Sequence, residues 1–129
     1  GEAWTVAKKS NLDLEKTFKG IAASSGNSFV HETESQVILN GSYNINFTMD
    51  LVLKDTGLFD DLAKKLNAPL EISPKVVEIF KDGQKKYGSR AWSSMIVKRM
   101  EDLNNIDFRA KGFPEELVDN EPEEKGYEI

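Results

Sequence analysis

The chain has 129 residues, of which 39% are hydrophobic and 30% charged, a size and balance that suit one domain with a packed core. It holds no cysteine, which excludes disulfides, thiolate metal sites and a cysteine nucleophile, and fits a reducing, cytoplasmic setting. A net charge of −5 argues against nucleic acid as the main partner, and no window approaches the roughly 18 consecutive apolar residues of a membrane span.

Residues 2–10 read as the end of a helix, with Trp4 and Ala7 on one side and Lys8 and Lys9 at the negative end of its dipole. No cap precedes it and Gly1 stands where Met is expected, so the chain reads as a piece of a longer one. GEAWTVAKKS has no apolar stretch of signal-peptide type. Asn11 or Asp13 can cap a second helix, in which Leu14, Phe18, Ile21 and Ala22 recur at helical spacing. Gly26 is expected to end it in the left-handed conformation. A third helix is expected over 28–39, with Val30, Val37 and Ile38 in a weak stripe, closed by the Asn40-Gly41 turn.

The longest proline-free helical run covers 47–66 (FTMDLVLKDTGLFDDLAKKL), with Asn46 as its expected cap. Leu51, Val52, Leu58, Phe59, Leu62 and Leu66 form an apolar stripe expected to face core or cleft, and Asp55 interrupts it. A carboxylate there is costly unless something charged or hydrogen-bonding meets it. Lys54 shares a face with Phe47, so one helix presents an aromatic ring, an ammonium and a carboxylate near an apolar edge. The alternative is plain ion pairing, of Asp55 with a cation on another helix and of Lys54 with Asp50. Ser73-Pro74 starts a fifth helix, with Ser73 as cap and Ile72 stapled onto Val77. Gly83 on its buried side predicts close approach by another helix, and Gly88 ends it. A sixth helix is expected over 89–103, with Trp92, Met95, Ile96 and Leu103 in register. After residue 105 the pattern stops. Residues 106–129 read as an extended acidic tail pinned by Phe108, Phe113, Leu117 and Tyr127. The expected fold is all-α, about six helices over residues 1–105 followed by that tail.

The chemistry-bearing motifs are few. No glycine-rich phosphate loop is present, and the single histidine, His31, is expected to be packed or solvated rather than a ligand or base. With no cysteine, one histidine and no oxygen-rich calcium loop, no metal site is expected. Asp60-Asp61 reads as a solvated surface, and the two glycosylation-type triplets as chance matches.

The order of segments carries a resemblance. GEAWTVAKKSNLDLEKTFKGIAAS, then F-x-M-D-L-x-L-K-D at Phe47–Asp55, then NAPLEISPKVVEIFKDGQKKYG resembles the helical C-terminal domain of the β-hydroxyacid dehydrogenase family. That family includes 3-hydroxyisobutyrate dehydrogenase, tartronate semialdehyde reductase and 6-phosphogluconate dehydrogenase. The likeness covers roughly residues 2–103. It implies a two-domain oxidoreductase whose Rossmann domain, holding most of an NAD or NADP, and whose catalytic lysine precede Gly1. Lys8 and Lys9 sit too late in the helix for that lysine, so no catalytic residue is expected here.

By correspondence with the motif, Lys54 implies a cofactor contact near the nicotinamide, Phe47 a wall of the substrate and nicotinamide pocket, and Asp55 the partner carboxylate on the substrate side. Thr56, where the family often has Leu, and Phe59, near which it often has Ala, are departures that bear on substrate identity. The expected partners are a small hydroxy acid, the chain's own Rossmann domain and further copies in a homo-oligomer, with no membrane or nucleic acid. The alternative function is a non-catalytic helical interaction module whose acidic tail binds a basic partner. Apolar surface normally covered by the other domain is expected to make the isolated chain self-associate.

Overall fold

A computed structural model describes residues 1–117 and 126. Six α-helices follow in order: α1 (Glu2–Lys9), α2 (Leu14–Ala22), α3 (Phe29–Asn40), α4 (Met49–Lys65), α5 (Ser73–Tyr87) and α6 (Lys98–Asn104), with a 3₁₀ turn at Ser93–Val97 before α6. The fold is all-α. Outside the helices, sheet-like pairing among the described residues is limited to the isolated bridges Asn44–Glu116 and Thr48–Trp92.

Local chemistry sets most boundaries where the sequence puts them. Asp13 caps α2 by accepting from the Lys16 amide at 3.0 Å, and Ser28 caps α3 by accepting from the His31 amide at 3.0 Å. Gly41 closes α3 at φ 98°, a conformation that side chains with a Cβ rarely adopt. Four expectations need correction. α2 stops at Ala23 with φ −85°, and Gly26 is not left-handed; the Ser24 amide turning back to the Ile21 carbonyl makes the stop. Asn46 does not cap α4, because Thr48 holds that position and the helix begins only at Met49.

The reason lies in the third correction: 89–92 is not helical. Instead the Met49 amide donates to the Ala91 carbonyl at 3.0 Å and the Asp50 amide to the Ser89 carbonyl at 3.1 Å. Those carbonyls satisfy the open donors of α4 that a side-chain cap would otherwise meet. Fourth, Ser73 donates its hydroxyl to Asp60 Oδ1 at 2.6 Å rather than capping α5, and Ile72 is exposed rather than stapled.

Trp4 and Ala7 from α1, Leu14 from α2, Ile38 and Leu39 from α3, Tyr43 and Phe108 make the core. Phe108 comes from beyond α6, so the chain past residue 105 contributes to that core. It runs back along the end of α3. Here the Ala110 amide donates to the Leu39 carbonyl at 3.0 Å, Asn40 Nδ2 to the Phe113 carbonyl at 3.0 Å, and the Ser42 hydroxyl to the Glu115 carbonyl at 2.6 Å. Phe113 meets Phe18 edge-on at 5.1 Å between ring centres, and Leu117 is half-buried. Tyr127, the last of the expected pins, lies outside the described residues, as does the acidic run at 118–125.

Helices α4 and α5 form an antiparallel hairpin that joins the body through the 3₁₀ turn. Gly83 makes the close approach expected of it: a Cβ there would lie 2.6 Å from Ile96 Cδ1 and 3.3 Å from Met49 Sδ. The stripe on α4 is the main surprise. Leu51 and Val52 are half-buried as expected, but Leu58, Phe59, Leu62 and Leu66 are exposed, and from there on the inner face is built from Thr56, Asp60 and Ala63, with Met49 at the start of the helix. Its polar members are satisfied within the hairpin: Thr56 donates back to the Val52 carbonyl at 2.7 Å, and Asp60 accepts from Ser73. Small and internally bonded side chains let two helices approach closely at little desolvation cost.

Candidate functional site

The first turns of α4 carry the residues singled out by sequence. Their position is set by backbone bonds to the segment before α6, since the Ser93 amide also donates to the Phe47 carbonyl at 2.8 Å. Phe47 stands just ahead of the helix and lines a cleft of about 520 Å³ between α1, α3, α5 and the 3₁₀ turn.

Lys54 and Asp55 are not brought into that cleft. Their side chains are 60% and 55% exposed and pair with each other, Lys54 Nζ to Asp55 Oδ1 at 2.9 Å. The expectation that Asp55 faces core or cleft within this chain is therefore corrected: the stripe splits, Val52 lining the cleft while Leu58, Phe59, Leu62 and Leu66 point outward, and Asp55 lies on the outward side. Neither alternative ion pair forms, since Asp50 pairs with Arg90 at 3.1 Å. The Thr48 hydroxyl, then Arg90, hold the Asp50 carboxyl below the usual carboxylate range.

The cleft has an apolar lining from Trp4, Ile38, Val52, Phe80 and Ile96, and the polar side chains of Ser28, His31, Glu34, Ser35 and Ser93 reach it. His31 is locked in place. One ring nitrogen, Nε2, lies 3.0 Å from the Phe18 carbonyl and donates to it, and Nδ1 lies 3.2 Å from Ser35 Oγ. The ring stacks between Trp4 and Phe18, with centres at 5.8 Å and 4.7 Å. It is a packed residue, as expected.

Glu34, Ser35 and Ser93 are polar lining residues that sequence reasoning missed. Burial pushes the Glu34 carboxyl up from its ordinary value. Glu34 lies four residues after Val30 and four before Ile38, so an acid on an apolar helical face was a usable signal. Ser93 Oγ is buried with no hydrogen-bond partner among the described residues. Nothing in its local sequence marks it, because its burial depends on the 3₁₀ turn. No group of three or more metal-ligating side chains occurs among the described residues.

Comparison with known proteins gives this arrangement a class. Residues 1–100 match the family model described as NAD-binding of NADP-dependent 3-hydroxyisobutyrate dehydrogenase. The chain belongs to this β-hydroxyacid dehydrogenase family, an NAD(P)-binding family of oxidoreductases. It is 28% identical over 97 residues to an L-threonate dehydrogenase of Haemophilus influenzae, covering 75% of this chain and 32% of that protein. It is 30% identical over 106 residues to a 2-(hydroxymethyl)glutarate dehydrogenase of Eubacterium barkeri, covering 81% of this chain and 35% of the relative. A crystal structure of 3-hydroxyisobutyrate dehydrogenase from Salmonella typhimurium superposes with a TM-score of 0.65 at 28% identity, over 74% of this chain and 34% of that one. The chain thus spans about a third of the length of the relatives it matches. No helix among the described residues is long and apolar enough to cross a membrane.

Proposed function

We propose that this chain is the helical C-terminal domain of an NAD(P)-dependent 3-hydroxyacid dehydrogenase, and that it supplies one wall of the site where substrate meets nicotinamide. The observation that carries this reading is the Phe47–Lys54–Asp55 array on the first turns of α4, within the span matched by the family model. The relatives act as dehydrogenases, and the length they have beyond this chain leaves room for a Rossmann domain that would hold most of the cofactor.

The side chains present suit one face of such a site. Lys54 Nζ has three donor hydrogens and Asp55 occupies one direction, so the exposed ammonium can also reach an anionic group of the cofactor. Asp55 holds that ammonium in place. Phe47 offers an apolar face where water must be kept from a hydride transfer. The nicotinamide, when bound, would accept the hydride that leaves the hydroxy acid. Outward exposure of Lys54 and Asp55 fits a wall that is completed from outside this chain. Nothing in the comparisons favours the non-catalytic interaction module. A cytoplasmic location and assembly into a homo-oligomer are part of the same proposal.

The test is kinetic and uses the full-length protein. Lys54→Ala is expected to raise the Michaelis constant for cofactor or substrate about tenfold, a loss of about 1.4 kcal/mol. Unchanged kinetics would return Lys54 to an ordinary surface charge. The 129-residue chain alone is expected to turn over no hydroxy acid with NAD or NADP, and turnover by it would refute the division of labour.

A further inference from the structure

The passage from α3 to α4 is irregular. Between Gly41 and Thr48 two residues other than glycine are left-handed, Tyr43 and Asn46, each at φ 56°. Asparagine tolerates that conformation through its short polar side chain. A tyrosine does not, and keeps it only where its surroundings impose it. Asn46 immediately precedes Phe47, the ring at the wall of the cleft, so the course of this passage sets where that ring stands.

The groups that impose it are buried. Adjacent residues of the 3₁₀ turn hold its two ends: the Ser94 hydroxyl donates to the Tyr43 carbonyl at 2.6 Å, and the Ser93 amide to the Phe47 carbonyl at 2.8 Å. The Tyr43 amide donates to the Val37 carbonyl at 3.1 Å. The Tyr43 hydroxyl donates to Glu101 Oε2 and accepts from Arg109 Nη2 at 3.0 Å. The Arg109 guanidinium lies over the Tyr43 ring, 5.3 Å from its centre, and packs so closely on Gly41 that no Cβ would fit there. We propose that the Tyr43 phenol, fixed by Glu101 and Arg109, is a positioning group for the dehydrogenase site: it holds the left-handed passage, and through it the Phe47 ring, in the wall that meets substrate and nicotinamide. It touches no reacting atom itself. Charge-assisted bonds fix a phenol in direction as well as in place, which apolar packing of the same ring would not do. The role rests on the reading of Phe47 as part of that wall.

The experiment is a double-mutant cycle on the full-length protein, read as kcat/KM over a panel of small hydroxy acids that includes L-threonate and 3-hydroxyisobutyrate, with NAD or NADP. Tyr43→Phe keeps the ring and removes the bonds to Glu101 and Arg109. It is expected to lower kcat/KM about tenfold. In a Phe47→Ala background the same change is expected to have no further effect, because the phenol acts through that ring. Tyr87→Phe removes a phenol whose 2.7 Å bond to Asp102 does not lead to Phe47, and should leave kcat/KM unchanged. In the 129-residue chain, the resonance of a fluorine label on the Phe47 ring should shift or broaden with Tyr43→Phe and stay in place with Tyr87→Phe. Parental kcat/KM in Tyr43→Phe, or a loss that persists without the Phe47 ring, would overturn the positioning role and leave the dehydrogenase reading standing. So would a fluorine resonance indifferent to Tyr43→Phe. A parent that oxidises no hydroxy acid of the panel would overturn the dehydrogenase reading, and the role with it.

Discussion

Glu101 is the most demanding single residue in the molecule. It is 2% exposed and charged, and it sits among Tyr43, Phe108 and Arg109. The Phe108 amide donates to Glu101 Oε1 at 2.7 Å, Arg109 Nη1 donates to the same oxygen at 2.7 Å, and the Tyr43 hydroxyl donates to Oε2. Arg109 Nη2 in turn donates to the Tyr43 hydroxyl at 3.0 Å, so each member of the cluster is bonded. Burial, then the bond to Glu101, pushes the Tyr43 phenol far above its ordinary value of 10.0. A phenol that stays neutral in the folded chain but ionises in the unfolded one stabilises the fold fully below pH 10. That contribution is lost progressively as pH rises further. Tyr43→Phe should cost about 1–2 kcal/mol near neutral pH by removing the hydroxyl's bonds. The gap between variant and parent should then narrow above pH 10, measured as urea midpoints on both sides of that value. A gap constant with pH would show that Tyr43 ionises alike in both states.

At the scale of elements, the α4–α5 hairpin shows where pattern reading succeeds and where it stops. The existence of every helix was legible from apolar spacing and from the boundary signals at Asp13, Gly41 and Gly88. The direction of α4 was not. Hydrophobicity points to its leucines as the packed face, yet the hairpin packs on Met49, Thr56, Asp60 and Ala63. What decides it is the closeness that small side chains allow and the bonds that satisfy Thr56 and Asp60, neither of which a hydropathy pattern encodes. The 89–92 segment was misread for a related reason: its carbonyls serve a distant helix, a demand no local window contains. The candidate site follows suit. Phe47 lines the cleft, Lys54 and Asp55 lie on the helix read for them but outside that cleft, and Ser93 was invisible. Gly83, by contrast, was read correctly. Gly83→Ala should be nearly neutral, since the terminal methyl of Ile96 can rotate away and alanine favours the helix by about 1 kcal/mol. Gly83→Val has no such escape and should lose about 3 kcal/mol in chemical denaturation. Equal effects of the two would mean that α5 does not approach Met49 and Ile96 this closely.

For the molecule as a whole, the chain after α6 closes the core that α1, α2 and α3 begin. Phe108 is completely buried, and its removal leaves a hole bounded by Trp4, Leu39 and their neighbours. Phe108→Ala should cost about 3–5 kcal/mol, and a chain ended at Asn105 should melt far below the parent or fail to fold. Retention of a cooperative, near-parental melt by the shortened chain would show that the helices suffice alone. Such dependence on a late segment means that the fold completes only once nearly the whole length is available.

The seating of α4 has a further consequence. Its starting point is held by carbonyls at Ser89 and Ala91 and by the Ser93 amide, beside the local bonds of Asp50 to the Thr48 hydroxyl and the Leu51 amide. Losing or gaining one residue between Gly88 and Ser93 would displace those partners and change where α4 is gripped. Lys54 and Asp55 would then shift with the helix while remaining chemically untouched. In such a lineage the aim of the site could drift through changes some 35 residues away in the chain.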